Sequence, residues 1–112
     1  MSMLFYLIAG HALGDFALQS ADMAAGKNRN HKIDPSKIPP GQKVQRVWPY
    51  WLGSHSLIHG GVVGLVTGVW WLGLAETVMH FAIDYAKCEN WTGIHADQTL
   101  HAACKLVWWG LV

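Results

Sequence analysis

The chain has 112 residues, enough for one domain with a core only just large enough to support itself in water. Hydrophobic residues make up 52% of it and charged residues 13%, about half the charged share of an ordinary globular domain. The net charge is +1 and no basic stripe is interleaved with aromatic residues, so nucleic acid is excluded as an expected partner.

Four apolar segments follow one another along the chain, and a long polar insert separates the first two. None of the segments alternates with a period of two, and their lengths favour helices over strands, so the sequence predicts an all-α fold. The insert, residues 20–50, holds all four prolines and six of the eight basic residues, and we expect an irregular or partly helical loop there. The four expected helices span residues 3–19, 51–71, 74–87 and 95–112.

The segment 51–71 reaches the length of about 20 apolar residues that a bilayer crossing needs, although the others are shorter. With the insert in the cytoplasm, nearly all lysines and arginines fall on that side, as the positive-inside rule requires. Tryptophans near the segment ends suit aromatic belts, although a compact core filled with tryptophan is the alternative. The sequence therefore predicts a single domain over residues 1–112. We expect a four-helix integral membrane bundle in the bacterial inner membrane, with a cytoplasmic insert between helices 1 and 2 and the lipid bilayer as a partner.

Glycines recur at every fourth position of the second segment, at Gly60, Gly64 and Gly68. A stripe of small residues lets two helix backbones approach closely. We therefore expect this face to pack against a neighbouring helix.

Each apolar segment also carries two ionisable residues four positions apart, which places both on one face of a helix. Random placement of the histidines and aspartates gives about one such pair, whereas four occur. With alternating helix directions, all eight residues fall at one level, roughly 3 to 15 Å from one end of the bundle. The pairs are His11 with Asp15, His55 with His59, His80 with Asp84, and Asp97 with His101.

Unpaired ionised groups in an apolar layer are costly, and a metal ion is the partner that suits imidazole and carboxylate together. Eight ligands exceed what one ion requires, so we expect two divalent ions of zinc, manganese or iron. A metal-free proton relay through the same side chains is the main rival. The predicted metal ligands are His11, Asp15, His55, His59, His80, Asp84, Asp97 and His101.

Two carboxylates are candidates for a catalytic role. Asp84 belongs to the ligand set, and Glu76 lies one turn before His80 on the same face, where it suits a base, a further ligand or an orienting group. Gln19 and Gln98 are placed to hydrogen-bond the ligands. His55 and His59 have the spacing of the two zincin histidines, but Ser56 stands where the catalytic glutamate of that motif would be. GxSxG, P-loop and GxGxxG motifs are also absent.

The blocks AGHALGDFALQS, HSLIHG, ETVMHFAIDYAK and DQTLH, in this order, resemble those of the bacterial and phage membrane proteins known as domain of unknown function 3307. The resemblance covers all four segments. The residue pattern of that family is similar in style to that of membrane-bound metal-dependent hydrolases. The resemblance implies functional roles for His11, Asp15, Gln19, His55, His59, His80, Asp84, Lys87, Asp97, Gln98 and His101.

The expected function is a metal-dependent hydrolase that cleaves a phosphoester or amide in a lipid or phosphate-containing substrate at the cytoplasmic membrane surface. A metal or proton carrier or sensor is an alternative, although the outer half of the bundle offers few polar groups for a path. A structural, phage-related protein whose metal only stabilises the bundle is another. The sequence leaves a homo-oligomer open.

Overall fold

A computed structural model describes residues 2–43 and 46–112, apart from the side chain of Lys37. Every regular element within these ranges is helical, so the prediction of an all-α fold is confirmed. The elements are α1 (Ser2–Ala12), a π-helical turn (Leu13–Ala17), α2 (Ala21–Gly26), a 3-10 turn (Pro35–Lys37), α3 (Trp48–Thr67), α4 (Trp70–Cys88) and α5 (Ile94–Gly110).

The four longer helices pack in a ring in the order α1, α3, α4 and α5, and α5 closes the ring against α1. Each contributes one side chain to an apolar cluster formed by Leu7, Val63, Leu72 and Trp108. Burial of such a side chain contributes about 1.5 to 3 kcal/mol. Leu7 stands one turn before His11, and Val63 stands one turn after His59. The apolar cluster therefore fills one level of the ring, and the polar pairs fill the next.

α3 and α4 form a tight hairpin because their backbones touch where glycines face each other. A Cβ atom on Gly60 would lie 2.5 Å from the carbonyl oxygen of Gly73, and a Cβ atom on Gly73 would lie 3.2 Å from the Cα atom of Gly64. Gly68 plays a different part, because it ends α3 in the left-handed conformation at φ 71°. The expected close packing holds for the first two glycines of the stripe, and the second apolar segment breaks at its third.

No helix among the described residues is both long enough and apolar enough to cross a membrane. The prediction of an integral membrane bundle, and of a place in the bacterial inner membrane with a cytoplasmic insert, is therefore wrong. α1 has 11 residues, and Gly68 splits the segment expected to be the longest span. The 20 residues of α3 include His55 and His59, which lower its mean hydropathy. The short apolar length of three of the four segments already counted against a membrane, but tryptophan placement and the distribution of lysines outweighed it in the prediction.

The polar insert is partly helical and lies against the ring. α2 begins at Ser20, whose hydroxyl accepts a hydrogen bond from the backbone N–H of Met23 at 3.0 Å. Gly26 at its end packs directly on the ring of Trp51 in α3, in space that a Cβ atom would fill. Further on, the Arg29 guanidinium pairs with the carboxylate of Glu89 at the end of α4. The insert is thereby attached to α3 and α4 at the level of the polar pairs.

Gly60→Ala should destabilise the protein by about 1 to 3 kcal/mol, because the new methyl group must push α3 away from Gly73 and Thr77 of α4. Thermal unfolding followed by circular dichroism measures the effect. Gly61→Ala is the matched control, because a Cβ atom at Gly61 meets nothing within 4 Å. Equal melting temperatures for the two variants would contradict this packing.

Candidate metal centre

The structure brings all eight predicted ligands together inside the ring. Each helix of the ring supplies its pair of side chains from the inward face, with Asp15 carried by the π-helical turn that continues α1. We call this set the polar layer; its members are His11, Asp15, His55, His59, His80, Asp84, Asp97 and His101. Seven of the eight are buried, and the eighth, His11, is partly buried.

The centre of the layer is a group of four side chains, which we call the central group: Asp15, His55, His59 and His80. The Oδ1 atom of Asp15 lies 3.2 Å from His55 Nε2, 2.9 Å from His59 Nε2 and 3.8 Å from His80 Nε2. Four ligand atoms at about 2.0 to 2.1 Å from one tetrahedral ion are about 3.3 to 3.4 Å apart. The three distances bracket that separation.

The same four atoms are buried and have no hydrogen-bond partner, although they lie close together. His59 Nε2 is 2.9 Å from Asp15 Oδ1, yet the pair lacks the alignment of a hydrogen bond. Buried polar atoms are nearly always satisfied, and an unsatisfied one costs about 1 to 3 kcal/mol. Four such atoms facing one point are the arrangement that a bound cation would complete.

A second group, formed by Asp84, Asp97 and His101, adjoins the central group. His101 Nε2 lies 3.1 Å from Asp84 Oδ1 and 3.5 Å from Asp97 Oδ1, and this oxygen of Asp97 is also without a hydrogen-bond partner. The other oxygen of Asp84 points to the central group, 3.2 Å from His55 Nε2 and 3.5 Å from His80 Nε2. The Asp84 carboxylate therefore lies between the two groups.

His11 and Gln98 form the accessible edge of the layer, between α1 and α5. The Gln98 side chain donates to Asp15 Oδ2 at 3.0 Å and to Asp97 Oδ2 at 3.1 Å, and its carbonyl lies 3.0 Å from His11 Nε2. His11, His80 and His101 also place three ligand atoms together. The side chains of His11 and Asp15 are 12% and 9% exposed, whereas His55 and His80 are fully buried, so this edge is the open side.

Glu76 lies on the far side of His80 from the central group. Its Oε1 atom is 3.3 Å from His80 Nδ1 and also accepts from Lys105, while Oε2 accepts from the Trp108 indole at 2.5 Å. A carboxylate on the second nitrogen of a histidine fixes the ring and directs the first nitrogen to a ligand. Of the two predicted catalytic carboxylates, only Asp84 reaches the ligand groups, and Glu76 holds His80 in place.

Two buried lysines were missed by the sequence reasoning. Lys105 pairs with Glu76, and Lys27 of the insert donates to Asp84 Oδ2 at 3.0 Å and to the Gln19 side chain at 2.6 Å. Gln19 in turn donates to the backbone carbonyl of Asp15, rather than to its carboxylate. Nothing in the spacing of Lys27 indicates this contact, because 57 residues separate it from Asp84.

The histidines of the metal-free layer differ in their pKa values. Burial lowers the pKa of His59 to about 4, so that this imidazole is neutral at pH 7. Burial also acts to lower the pKa of His101, but Asp84 and Asp97 outweigh it and raise that pKa to about 9. For Asp15 and Asp84, burial favours the neutral acid, yet the surrounding imidazoles hold both pKa values well below the ordinary range. Both carboxylates are therefore ionised and available to a cation.

Three of the rings stack in a row along the layer. The centroids of His59 and His80 are 3.7 Å apart, and those of His80 and His101 are 4.1 Å apart. Neighbouring imidazolium rings at this spacing would repel each other strongly in a buried site. Two neighbouring rings of the stack are therefore not both charged, and a bound metal would require every ligating ring to be neutral.

No family model, curated protein or solved structure matches this chain. The resemblance to the domain of unknown function 3307 family stays a prediction.

His101→Asn should lower the stability of the metal-free protein more at about pH 6 than at about pH 10. Since the pKa of His101 rises from 6.5 to about 9 on folding, its stabilisation is complete below pH 6.5 and is lost as the pH rises through 9. The difference in unfolding free energy should shrink by on the order of 3 kcal/mol. Urea unfolding in the presence of a chelator measures it, with the exposed His31→Asn as control. A difference that does not change with pH would contradict the charged state of His101.

Proposed function

We propose that the protein binds divalent metal ions in the polar layer and uses them to hydrolyse a phosphoester or amide bond. The observation that carries the proposal is the convergence of four buried, unpaired ligand atoms in the central group. Hydrogen bonding within the chain leaves these atoms unsatisfied, and a cation would satisfy all four at once.

The chemistry of the ligands favours zinc in the central group. Three imidazoles and one carboxylate, whose ligand atoms all lie within 4.8 Å of one another, form a typical zinc environment, whereas manganese and iron take more oxygen ligands and higher coordination numbers. Glu76 supports this assignment, because its contact with His80 Nδ1 directs His80 Nε2 to the ion.

The second group is the proposed position of a second ion. Asp84, Asp97 and His101 provide three protein ligands, which leaves a coordination position open to water or substrate. Asp84 has one oxygen on each group and would link the two positions. Two adjacent ions joined by a carboxylate are a common arrangement for hydrolysis.

Bound ions would polarise the scissile carbonyl or phosphoryl group and acidify water. Of the chain's own residues, Asp84 would act by holding both ions rather than as a proton acceptor, since its two oxygens face the two groups. Gln98 holds Asp15 and Asp97 in orientation through its amide. A substrate would approach past His11, on the accessible edge.

A structural role for the metal is the second candidate. The central group already supplies four protein ligands, and structural zinc sites are closed in this way. An ion there would link α1, α3 and α4 without any covalent chemistry. The catalytic and structural roles differ at the second group: only the catalytic role needs an ion there with a coordination position open to water or substrate.

The wild-type protein should bind zinc with a stoichiometry of at least one ion per chain, and His59→Ala should bind it at least tenfold more weakly. His59 supplies one of the four unpaired atoms, and its loss leaves the central group incomplete. Equilibrium dialysis with metal analysis measures both affinities, and zinc should raise the melting temperature of the wild type more than that of His59→Ala. His31→Ala, at an exposed histidine, is the control. A wild type without stoichiometric metal would overturn the proposal.

The metal-loaded protein should cleave chromogenic phosphoesters or anilides, and Asp97→Asn should reduce the rate on the order of 100-fold or more. Asp97 belongs to the second group alone, so the central ion should be retained in this variant. Steady-state assays beside metal analysis separate the two effects. Metal binding without turnover of either substrate class would favour the structural role.

A further inference from the structure

Lys27 is a buried cation that enters the polar layer from outside the ring of helices. Its side chain is 9% exposed, and its amine contacts Asp84 Oδ2 and the Gln19 side-chain carbonyl. Asp84 is the carboxylate that lies between the central and second groups. The ammonium group is therefore placed beside the carboxylate that would link two metal ions.

The charges of the layer show what Lys27 contributes. Imidazoles that bind a metal are neutral, so Asp15, Asp84 and Asp97 carry the charge of the layer. Glu76 does not add to it, because Lys105 neutralises it. Lys27 balances one of the three carboxylates and leaves two negative charges. One divalent ion in the central group neutralises these two charges, and a second ion would bring an excess of positive charge into a buried site.

We propose that Lys27 takes the place of the second metal ion in the charge balance, and that this ion is admitted to Asp84, Asp97 and His101 only when Lys27 leaves Asp84. The inference rests on the metal-binding function proposed above. While Lys27 contacts Asp84, the protein would hold one ion. The position of the Lys27 side chain would therefore decide whether a second ion can bind.

The attachment of Lys27 allows such a movement. Lys27 is the residue that ends α2, a six-residue helix outside the ring, and its long side chain reaches inward to Asp84. No helix of the ring has to shift when this side chain swings outward. The movement costs the two hydrogen bonds of the Lys27 amine. A second ion bound to Asp84 would replace the one that this carboxylate loses.

The test is zinc binding by equilibrium dialysis, with the first and second ions resolved by titration. In Lys27→Gln the second ion should bind at least tenfold more tightly than in the wild type, while the affinity for the first ion changes about threefold or less. Lys27→Arg keeps the positive charge and should behave as the wild type. Lys32→Gln removes one charge from an exposed position of the same insert and controls for net charge.

Equal second-ion affinity in Lys27→Gln and the wild type would overturn the inference while leaving the metal site intact. So would an equal gain in Lys32→Gln, which would mean that net charge alone matters. By contrast, absence of a first ion in the wild type would mean that the proposed function itself has failed.

A measurement on the wild type needs no substitution and guards against a variant that fails to fold. Saturation with the second ion should speed hydrogen exchange of the Lys27 side-chain ammonium group, followed by nitrogen-15 NMR, because this group leaves its hydrogen bonds to Asp84 and Gln19. The ammonium group of Lys105, which pairs with Glu76, provides the reference. Unchanged exchange of the Lys27 ammonium group when two ions are bound would show that Lys27 does not leave, and would overturn the inference.

Discussion

The main physical constraint on this fold is the burial of three carboxylates and five imidazoles in one layer of a small helical ring. Each such group loses hydration, so that each must be satisfied inside the protein. Glycines leave the space that these side chains occupy. Gly14 is the clearest case, since a Cβ atom there would lie 2.6 Å from His59 Nε2. Gly26 similarly lets α2 approach α3 closely enough for Lys27 to reach Asp84.

The ring joins an apolar level to a polar one, and three side chains form the boundary between them. Trp108 belongs to the apolar cluster through its rings and donates its indole N–H to Glu76. Glu76 also accepts from Lys105 and contacts His80. Packing of the apolar level is thus mechanically coupled to the orientation of a central ligand. A loss of packing around Trp108 would loosen His80 as well, although the two side chains belong to different levels.

Helix periodicity was the part of the fold and site that the sequence could supply. Spacing of four residues fixes which side chains share a face, so the pairs could be assigned to one inward layer from the sequence. Contacts that depend on distant pairing could not: Lys27 and Asp84 are 57 positions apart, and Glu76 and Lys105 are 29 apart. The membrane interpretation was wrong because a run of apolar letters hid a helix end at Gly68. The apolar composition indicates how hydrophobic the chain is as a whole, but it does not indicate where each helix ends.

The π-helical turn between Leu13 and Ala17 gives the first helix a fixed length as well as a shape. Its hydrogen bond from Leu18 to Leu13 spans five residues, so one more residue fits in this turn than in an α-helical one. Leu7 before the turn and Asp15 within it both face inward. Loss of one residue here would restore a regular helix and turn everything beyond it to another face. In evolutionary terms, the exposed Leu13, Phe16 and Ala17 of this stretch should tolerate exchange far better than any insertion or deletion, whereas Gly14 and Asp15 should tolerate neither.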